Sequence, residues 1–173
     1  LLETSKFNDS RGYFFESFNQ KSFEQKTGLK KEFVQDNISS SIKNVLRGLH
    51  LQVPPYAQAK LVRVLCGSVL DIVVDIRKNS PAYGKYYSVE LSEENNLSLF
   101  IPEGFAHGFT ALTDNAMFYY KCTGYYSKDH ERTIQWNDEN LKINWGTKHP
   151  LVSEKDNLGL PFASFDSPFV YGK

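Results

Sequence analysis

Residues 59–76 read AKLVRVLCGSVLDIVVDI, and this stretch decides the fold class. It contains two runs rich in β-branched residues, Ala59–Cys66 and Ser68–Ile76, which are separated by Gly67. Runs of this length and composition predict strands, and the intervening glycine predicts a turn between them. The stretch therefore predicts two neighbouring strands of a β protein.

The sequence on both sides has the same character. Further candidate strands are Gly12–Glu16, Glu32–Ser40, Val45–Gln52, Lys85–Leu91, Asn96–Ile101, Phe109–Ala111 and Ala116–Tyr125. The best helix signal lies over residues 19–27, where we expect Asn19 to cap the helix and Gly28 to end it. Many short strands at this spacing are typical of a β-sandwich or jelly roll rather than a βαβ fold.

We predict a single, mainly β domain with a few short helices over residues 1–173. The core covers about residues 9–137, and a C-terminal appendage over about residues 138–173 packs on it. Leu1-Leu2-Glu3 reads like the middle of a strand, so we expect a short N-terminal segment to precede Leu1.

The composition excludes several classes of protein. The 173 residues include 20 basic and 20 acidic side chains, and this neutral balance argues against binding to nucleic acid or to a membrane surface. A hydrophobic content of 40% is too high for a disordered chain, and no apolar run is long enough to span a membrane. Cys66 and Cys122 are expected to be reduced core residues of a cytoplasmic protein.

Polar residues occupy positions that should face the interior. Alternation along Val45–Gln52 places Gly48, His50 and Gln52 on one face, opposite two leucines. Lys60 is in phase with the core residues Val62 and Val64, which is costly unless it faces a polar cavity. The alternative for Lys60 is a residue at the mouth of the barrel whose ammonium reaches water.

A tight turn is predicted around Pro102-Glu103-Gly104-Phe105-Ala106-His107, which delivers His107 into the domain. A lone histidine is more often a satisfied core residue than a ligand. The Pro-x-Gly-x-x-His spacing, however, matches the second signature of the cupin barrels, and His50-x-Gln52 replaces the His-x-His of their first signature. Glutamine is a poor ligand for zinc or iron. The chain thus resembles a cupin-type jelly-roll β-barrel without a metal or other cofactor, which would work by organic acid–base chemistry.

A more specific resemblance runs from about Asp9 to Asp156. Its motifs are Asp9-Ser10-Arg11-Gly12 with Glu16, Phe33-Val34-Gln35-Asp36-Asn37, Val45-Leu46-Arg47-Gly48-Leu49-His50, Gln58-Ala59-Lys60-Leu61-Val62, Ile101–Phe109, Tyr119-Tyr120-Lys121, Tyr125-Tyr126, Trp136-Asn137-Asp138 and Ser153-Glu154-Lys155-Asp156. In this order and spacing, they identify a chain similar to the dTDP-4-dehydrorhamnose 3,5-epimerases of the nucleotide-sugar pathway to L-rhamnose. Gly146, the loop Val53-Pro54-Pro55-Tyr56 and the tail after Asp156 depart from the expected pattern.

The resemblance implies that His50, paired with Asp156, is the base that takes protons next to the 4-keto group. It implies that Lys60 stabilises the enolate oxygen and that Tyr120 is the acid on the opposite face. Imidazole titrates near neutrality and a phenol is protonated there, so both groups suit their roles. Two alternatives remain open: Asp156 could be a cap, and Tyr120 could be an ordinary strand residue that packs.

The resemblance also implies the residues that bind the dTDP-linked 4-keto-6-deoxy sugar. The cations for the diphosphate are Arg11, Arg47 and Lys155, and Tyr126 stacks on the thymine. His107 contacts the sugar or the diphosphate rather than a metal. The remaining polar contacts are Glu16, Gln35, Asp36, Asn37 and Glu131. Arg11 and Glu131 could instead form surface ion pairs.

The resemblance further implies a homodimer with swapped N-terminal strands. The sequence leaves three functions open: a cofactor-free epimerase acting at C3 and C5, a relative that epimerises one centre or carries out a 3,4-ketoisomerisation, and a sugar-binding cupin without activity. A complete set of His50, Lys60, Tyr120 and Asp156 favours epimerisation.

Overall fold

Two packed sheets form the body of the protein in a computed structural model that describes residues 1–172. The first sheet has the order β1 (Leu2–Glu3), β9 (Leu97–Ile101), β6 (Lys60–Cys66), β11 (Ala116–Cys122) and β4 (Gln35–Ser41). The second has the order β12 (Glu131–Thr133), β5 (Val45–Gln52), β10 (Phe105–Ala111), β7 (Ser68–Asp75) and β8 (Tyr86–Ser92), and β13 (Leu151–Val152) pairs in parallel with β5. A separate hairpin joins β2 (Phe7–Asp9) to β3 (Gly12–Phe14).

Apolar side chains from both sheets meet in the interior. Val62, Val64 and Phe118 of the first sheet pack against Val73 and Phe109 of the second sheet. Phe118 and Phe109 stack with their ring centroids 4.3 Å apart. Fully burying a side chain of this size contributes roughly 1.5–3 kcal/mol. The expected mainly β fold with a jelly-roll arrangement is confirmed, and it is built as two sheets that share this core.

A second apolar cluster lies on the outer face of the second sheet. Leu49 and Leu51 of β5 point away from the interior and are buried beneath Leu141, Trp145 and Phe165. The residues that follow Asp138 therefore cover the back of the strand whose other face carries His50. Lys173, the last residue of the predicted appendage, lies outside the described residues.

The helix predicted over residues 19–27 is present as α1 (Gln20–Thr27). Asn19 caps it by accepting a hydrogen bond from the Ser22 N–H, and Gly28 ends it with a φ of 70°. A one-turn helix, α2 (Glu154–Asn157), and two 3₁₀ turns (Lys128–His130 and Phe162–Ser164) were not predicted. None of the helices in residues 1–172 has the length and apolar character that crossing a bilayer would take.

The strand prediction was most accurate in the centre of the chain and less so at the edges. Val45–Gln52 is found with the predicted bounds, whereas the strand expected over Ala116–Tyr125 ends at Cys122. The tight turn expected to deliver His107 is shorter than predicted, because β10 already begins at Phe105. The short strands β12 and β13 were missed, since runs of two or three residues carry no readable alternation.

The strand β5 contains one residue more than its partner β10. His107 pairs with His50 and Phe109 pairs with Arg47, so two residues of β5 oppose the single residue Gly108. A Cβ on Gly48, whose φ is +144°, would lie 2.6 Å from the Gly108 Cα, so only glycine fits there. The alternation predicted for β5 holds for His50 and Gln52 against the two leucines, but it fails at residues 47–48, where this bulge turns Arg47 to the same face as His50.

Candidate active site

A cavity of about 250 Å³ opens at one end of the two sheets, where β4, β5, β6 and β11 present their inner faces. Seven of the predicted site residues line it: Gln35, Asn37, His50, Lys60, Tyr120, Tyr126 and Glu131. The sequence analysis did not assign a role in the site to four other residues that line it: Leu51, Gln52, Gln58 and Cys122. The cavity therefore combines residues from five strands, from the segment before β6 and from the loop after β11.

His50 is joined to Asp156 at this cavity. The His50 Nε2 lies 2.6 Å from the Asp156 Oδ1, and the Gly48 N–H donates to the other carboxylate oxygen at 3.4 Å. Burial opposes ionisation of Asp156, but the hydrogen bonds from His50, Gly48 and Ser153 outweigh it and lower the pKa of the carboxyl. An ionised carboxylate can only accept, so Nε2 carries the hydrogen, and in the neutral form of the imidazole the lone pair is then on Nδ1.

The local sequence explains why Asp156 can reach His50. Ser153 is the N-cap of α2 and accepts a hydrogen bond from the Asp156 N–H, so Ser153 rather than Asp156 is the cap. This one-turn helix follows β13, which pairs with the beginning of β5. The C-terminal segment thus returns to the strand that carries His50 and delivers a carboxylate to it.

Lys60 and Tyr120 lie next to each other in the same cavity. The Lys60 Nζ is 5.7 Å from the centroid of the Tyr120 ring, and no salt bridge within residues 1–172 involves Lys60. Burial lowers the pKa of Lys60, and the charges of Asp71 and Glu131 oppose this change. Burial also raises the pKa of Tyr120, so its phenol stays protonated at neutral pH.

Glu131 links Tyr126 to Lys155 at the mouth of the cavity. Its Oε2 accepts hydrogen bonds from the Tyr126 hydroxyl at 2.9 Å and from the Lys155 ammonium at 2.5 Å. Burial opposes ionisation of Glu131, but these two hydrogen bonds outweigh it and lower its pKa. A cation that could contact phosphate therefore lies beside an aromatic ring that could contact a base.

Asp36, which the resemblance placed among the substrate contacts, lies outside this cavity. Its side chain is on the outer face of the first sheet, where it accepts hydrogen bonds from Lys121 and Tyr119. Alternation along β4 places its neighbours Gln35 and Asn37 in the cavity and turns Asp36 away. The same alternation in β11 sends Tyr120 inward and Tyr119 outward.

Arg11 and Glu16 are also outside this cavity. Arg11 is on the hairpin of β2 and β3, highly exposed and paired only with the nearby Asp9 within residues 1–172. Glu16 bonds to Asn19 beside the start of α1. Arg47 lies near the site rather than in its lining, and its guanidinium donates to the Ser41 hydroxyl. The structure of one chain does not bring these three residues together.

His107 forms a second histidine–aspartate pair that the sequence analysis missed. Its Nε2 lies 2.9 Å from the Asp71 Oδ2, its ring stacks near Phe118, and the cavity lining does not include it. The signal was present in Val69–Ile76, where Asp71 interrupts a run of core residues and needs a buried partner. The predicted contact of His107 with the substrate stays a prediction.

Residues 1–164 match the family model described as dTDP-4-dehydrorhamnose 3,5-epimerase. A dTDP-4-dehydrorhamnose 3,5-epimerase of Shigella flexneri is 55% identical over 166 residues, which cover 96% of this chain and 92% of that protein.

Solved structures show the same similarity. The dTDP-6-deoxy-D-glucose-3,5-epimerase of Legionella pneumophila Philadelphia 1, in complex with dTDP-4-keto-L-rhamnose, has a TM-score of 0.91 and 45% identity, covering 95% of this chain and 87% of that one. A 3'-monoepimerase of Streptomyces bikiniensis in complex with dTDP-quinovose has a TM-score of 0.88 and 32% identity, covering 94% and 82%. Both kinds of epimerase thus share this fold.

Proposed function

The chain belongs to the dTDP-4-dehydrorhamnose 3,5-epimerase family and is an epimerase of a dTDP-linked 4-keto sugar, and we propose that His50, Lys60 and Tyr120 carry out its proton transfers. The substrate is dTDP-4-dehydro-6-deoxy-D-glucose, which is inverted at C3 and C5 to dTDP-4-dehydro-L-rhamnose. The observation that carries the proposed roles is the His50–Asp156 pair beside Lys60 and Tyr120 in one cavity.

The chemistry follows from the acidity of the two carbons next to the 4-keto group. The Nδ1 of His50 takes a proton from one face of the sugar, and the electrons move into an enolate whose oxygen is O4. Lys60 stabilises that oxygen, because an ammonium interacts most strongly as the negative charge develops. Tyr120 returns a proton to the opposite face, which inverts the carbon. The His50 imidazolium then gives its extra proton to solvent and the Tyr120 phenolate takes one from solvent, and the sequence is repeated at the second carbon.

The nucleotide half has its own set of contacts in this proposal. Lys155 and Arg47 neutralise the diphosphate, and Tyr126 stacks on the thymine, with roughly half of its side chain exposed for that purpose. Gln35, Asn37 and Glu131 supply polar contacts at the mouth. No metal takes part, and Gln52 supports this because its Oε1 already accepts from the Ser127 N–H.

We also propose that the enzyme is a cytoplasmic homodimer with exchanged N-terminal strands. The free cysteines Cys66 and Cys122 suit a reducing compartment. The hairpin of β2 and β3 exposes Phe7 and Phe14, with 64% and 69% of their surface accessible. On this proposal the hairpin packs on a second copy and brings Arg11 and Glu16 to the partner's cavity.

Deuterium exchange tests the function. The protein is incubated with dTDP-4-keto-6-deoxyglucose in deuterated water, and the sugar is analysed by NMR. Deuterium at both C3 and C5 is expected. Deuterium at one carbon alone would indicate a monoepimerase or, with the keto group moved to C3, a ketoisomerase, and exchange at neither carbon would point to a binding protein.

Complementation between inactive variants tests the exchanged dimer. His50→Ala and Arg11→Ala are produced separately and then coexpressed with different tags, so that mixed dimers can be isolated. If Arg11 serves the partner's cavity, a mixed dimer contains one intact site and regains activity. A mixed dimer as inactive as its parents would show that Arg11 and His50 of the same chain work together.

A further inference from the structure

The loop at residues 123–127, here the mouth loop, carries Tyr126 over the cavity. It follows β11, and Tyr125 and Tyr126 are both more than half exposed. Within residues 1–172, the main chain of residues 124–126 forms no hydrogen bond with another main-chain group. A segment without such bonds is normally mobile, so side chains must fix its position if Tyr126 is to be held in place.

Three glutamines supply those hydrogen bonds. The Gln35 Oε1 accepts from the Tyr126 N–H at 3.0 Å, and the Gln52 Oε1 accepts from the Ser127 N–H at 3.1 Å. The Gln58 Nε2 donates to the Gly124 carbonyl at 2.6 Å. They come from the beginning of β4, the end of β5 and the segment before β6, so the loop is fixed from three separate parts of the fold.

We propose that Gln35, Gln52 and Gln58 are positioning residues that hold the mouth loop and thereby present Tyr126 to the base of the nucleotide. This inference rests on the proposed function, and it assigns a task to Gln52 and Gln58, which the proposed chemistry does not use. The glutamines set the affinity for the nucleotide. They do not take part in proton transfer, which occurs at His50, Lys60 and Tyr120.

The contacts of Tyr126 support a role of the glutamines in nucleotide binding rather than in proton transfer. Gln35 fixes its main chain and Glu131 fixes its hydroxyl, while 52% of the residue remains accessible. An aromatic ring held at both ends is a ready platform for a planar base. Because the loop is already ordered, binding loses less conformational entropy than it would if the loop had to become ordered at that moment.

The positioning role of Gln52 also accounts for the His50-x-Gln52 spacing. The two side chains share the inner face of β5, but only His50 has a partner suited to proton transfer. Gln52 is 6% exposed and bonds to the mouth loop at the position where the cupin signature would carry a metal ligand. The same strand therefore places a base and, two residues later, a support for the nucleotide loop.

A double-mutant cycle with Tyr126 tests the inference. Gln52→Met and Gln58→Met remove the hydrogen bond and keep the length of the side chain, and each is made alone and together with Tyr126→Ala. Gln25→Met, on the exposed face of α1, is the matched control. The dissociation constant for dTDP is measured by calorimetry, together with kcat and KM for the keto sugar and the melting temperature.

Each glutamine variant should weaken dTDP binding and raise KM by about three- to tenfold, with kcat within about twofold of the wild type. In the Tyr126→Ala background the further loss should be below about twofold. Equal losses in both backgrounds, or a fall in kcat with unchanged dTDP binding, would overturn the inference. A wild type that binds dTDP without exchanging deuterium would instead refute the proposed function and leave the glutamine result standing.

Discussion

The protein contains two histidine–aspartate pairs on neighbouring strands, and they differ in what surrounds them. His50 and His107 are directly opposite each other in the pairing of β5 with β10. The His50–Asp156 side chains are 27% and 5% exposed, and those of His107–Asp71 are 8% and 0% exposed. The first pair opens into the cavity beside Lys60, whereas the second is closed by the ring of Phe118.

The two pairs differ both in their access to the cavity and in the part of the fold that supplies the aspartate. Asp156 comes from α2 in the C-terminal segment, beyond the two sheets, and it reaches only the exposed histidine. Asp71 comes from β7, the strand next to that of His107, and one of its oxygens has no hydrogen-bond partner within residues 1–172. We therefore assign proton transfer to the open pair and support of the cavity wall to the closed pair.

The largest effect is expected for His50→Ala. Removing the base should lower deuterium exchange by up to about 10⁴-fold, the upper end of the usual contribution of general-base catalysis. Binding of dTDP should stay nearly unchanged, since in the proposed mechanism His50 contacts the sugar and not the diphosphate. Exchange is followed by NMR and binding by calorimetry. Loss of dTDP binding as large as the loss of turnover would argue against this role.

Replacing the aspartate of each histidine–aspartate pair by asparagine distinguishes the roles of the two pairs more sharply. Asp156→Asn should lower kcat by roughly 10³-fold, because an amide lacks the charge that stabilises the imidazolium and can donate its own N–H to Nε2, which puts the hydrogen on Nδ1. Asp71→Asn should affect kcat far less and lower the free energy of unfolding by about 1–3 kcal/mol, because Asp71 is buried.

Turnover and urea unfolding of both variants provide the measurement. If Asp71→Asn reduced turnover as much as Asp156→Asn, the closed pair would belong to the catalytic machinery and the division between the pairs would be wrong.

Much of the fold could be predicted because it follows from local patterns. The β-branched runs around Gly67 predicted β6 and β7 almost to the residue, and Asn19 with Gly28 predicted both ends of α1. The bulge at Gly48 could not be predicted, since it depends on the close approach of Gly108 from a distant strand.

The candidate site residues were predicted from the family resemblance more than from the pattern of polar and apolar residues along the strands. Alternation alone indicated that Lys60 and His50 face inward, but no local pattern joins His50 to Asp156 across the sequence. The motif that contains Asp36 was carried over as a block, although alternate residues of a strand face opposite ways and Asp36 bonds to Lys121 outside the cavity. Asp71 was missed because its partner, His107, lies on another strand.

Variants of Lys60 and Tyr120, the residues that face the open pair, should lose activity in different ways. Lys60→Ala should slow exchange and inversion together by about 10²-fold, since the enolate itself becomes less stable. Tyr120→Phe keeps the ring and removes the hydroxyl, so His50 should still exchange protons with solvent while net inversion fails. Deuterium incorporation and product formation are measured side by side. Equal losses of both signals in Tyr120→Phe would place Tyr120 in substrate positioning instead.

The smallest expected effect is a loss of folding stability when a carboxylate that pairs with an arginine is neutralised. Asp75 lies four residues after Asp71 on β7 and accepts hydrogen bonds from Arg77 and Ser80. Burial opposes its ionisation, but these hydrogen bonds outweigh it and lower the pKa of Asp75. A pKa lowered in the folded state adds stability above the ordinary pKa of about 4, and this stability disappears as the pH falls through the lowered value.

Asp75→Asn should therefore cost about 1–2 kcal/mol of unfolding free energy at pH 7 and progressively less below about pH 4. Urea unfolding of both proteins between neutral and acid pH measures this difference. Because arginine does not titrate in that range, the curve gives the behaviour of a carboxylate alone, against which the pH dependence of the two histidine pairs can be compared. A difference between the proteins that stayed constant in acid would mean that packing, and not the charge of Asp75, stabilises this end of β7.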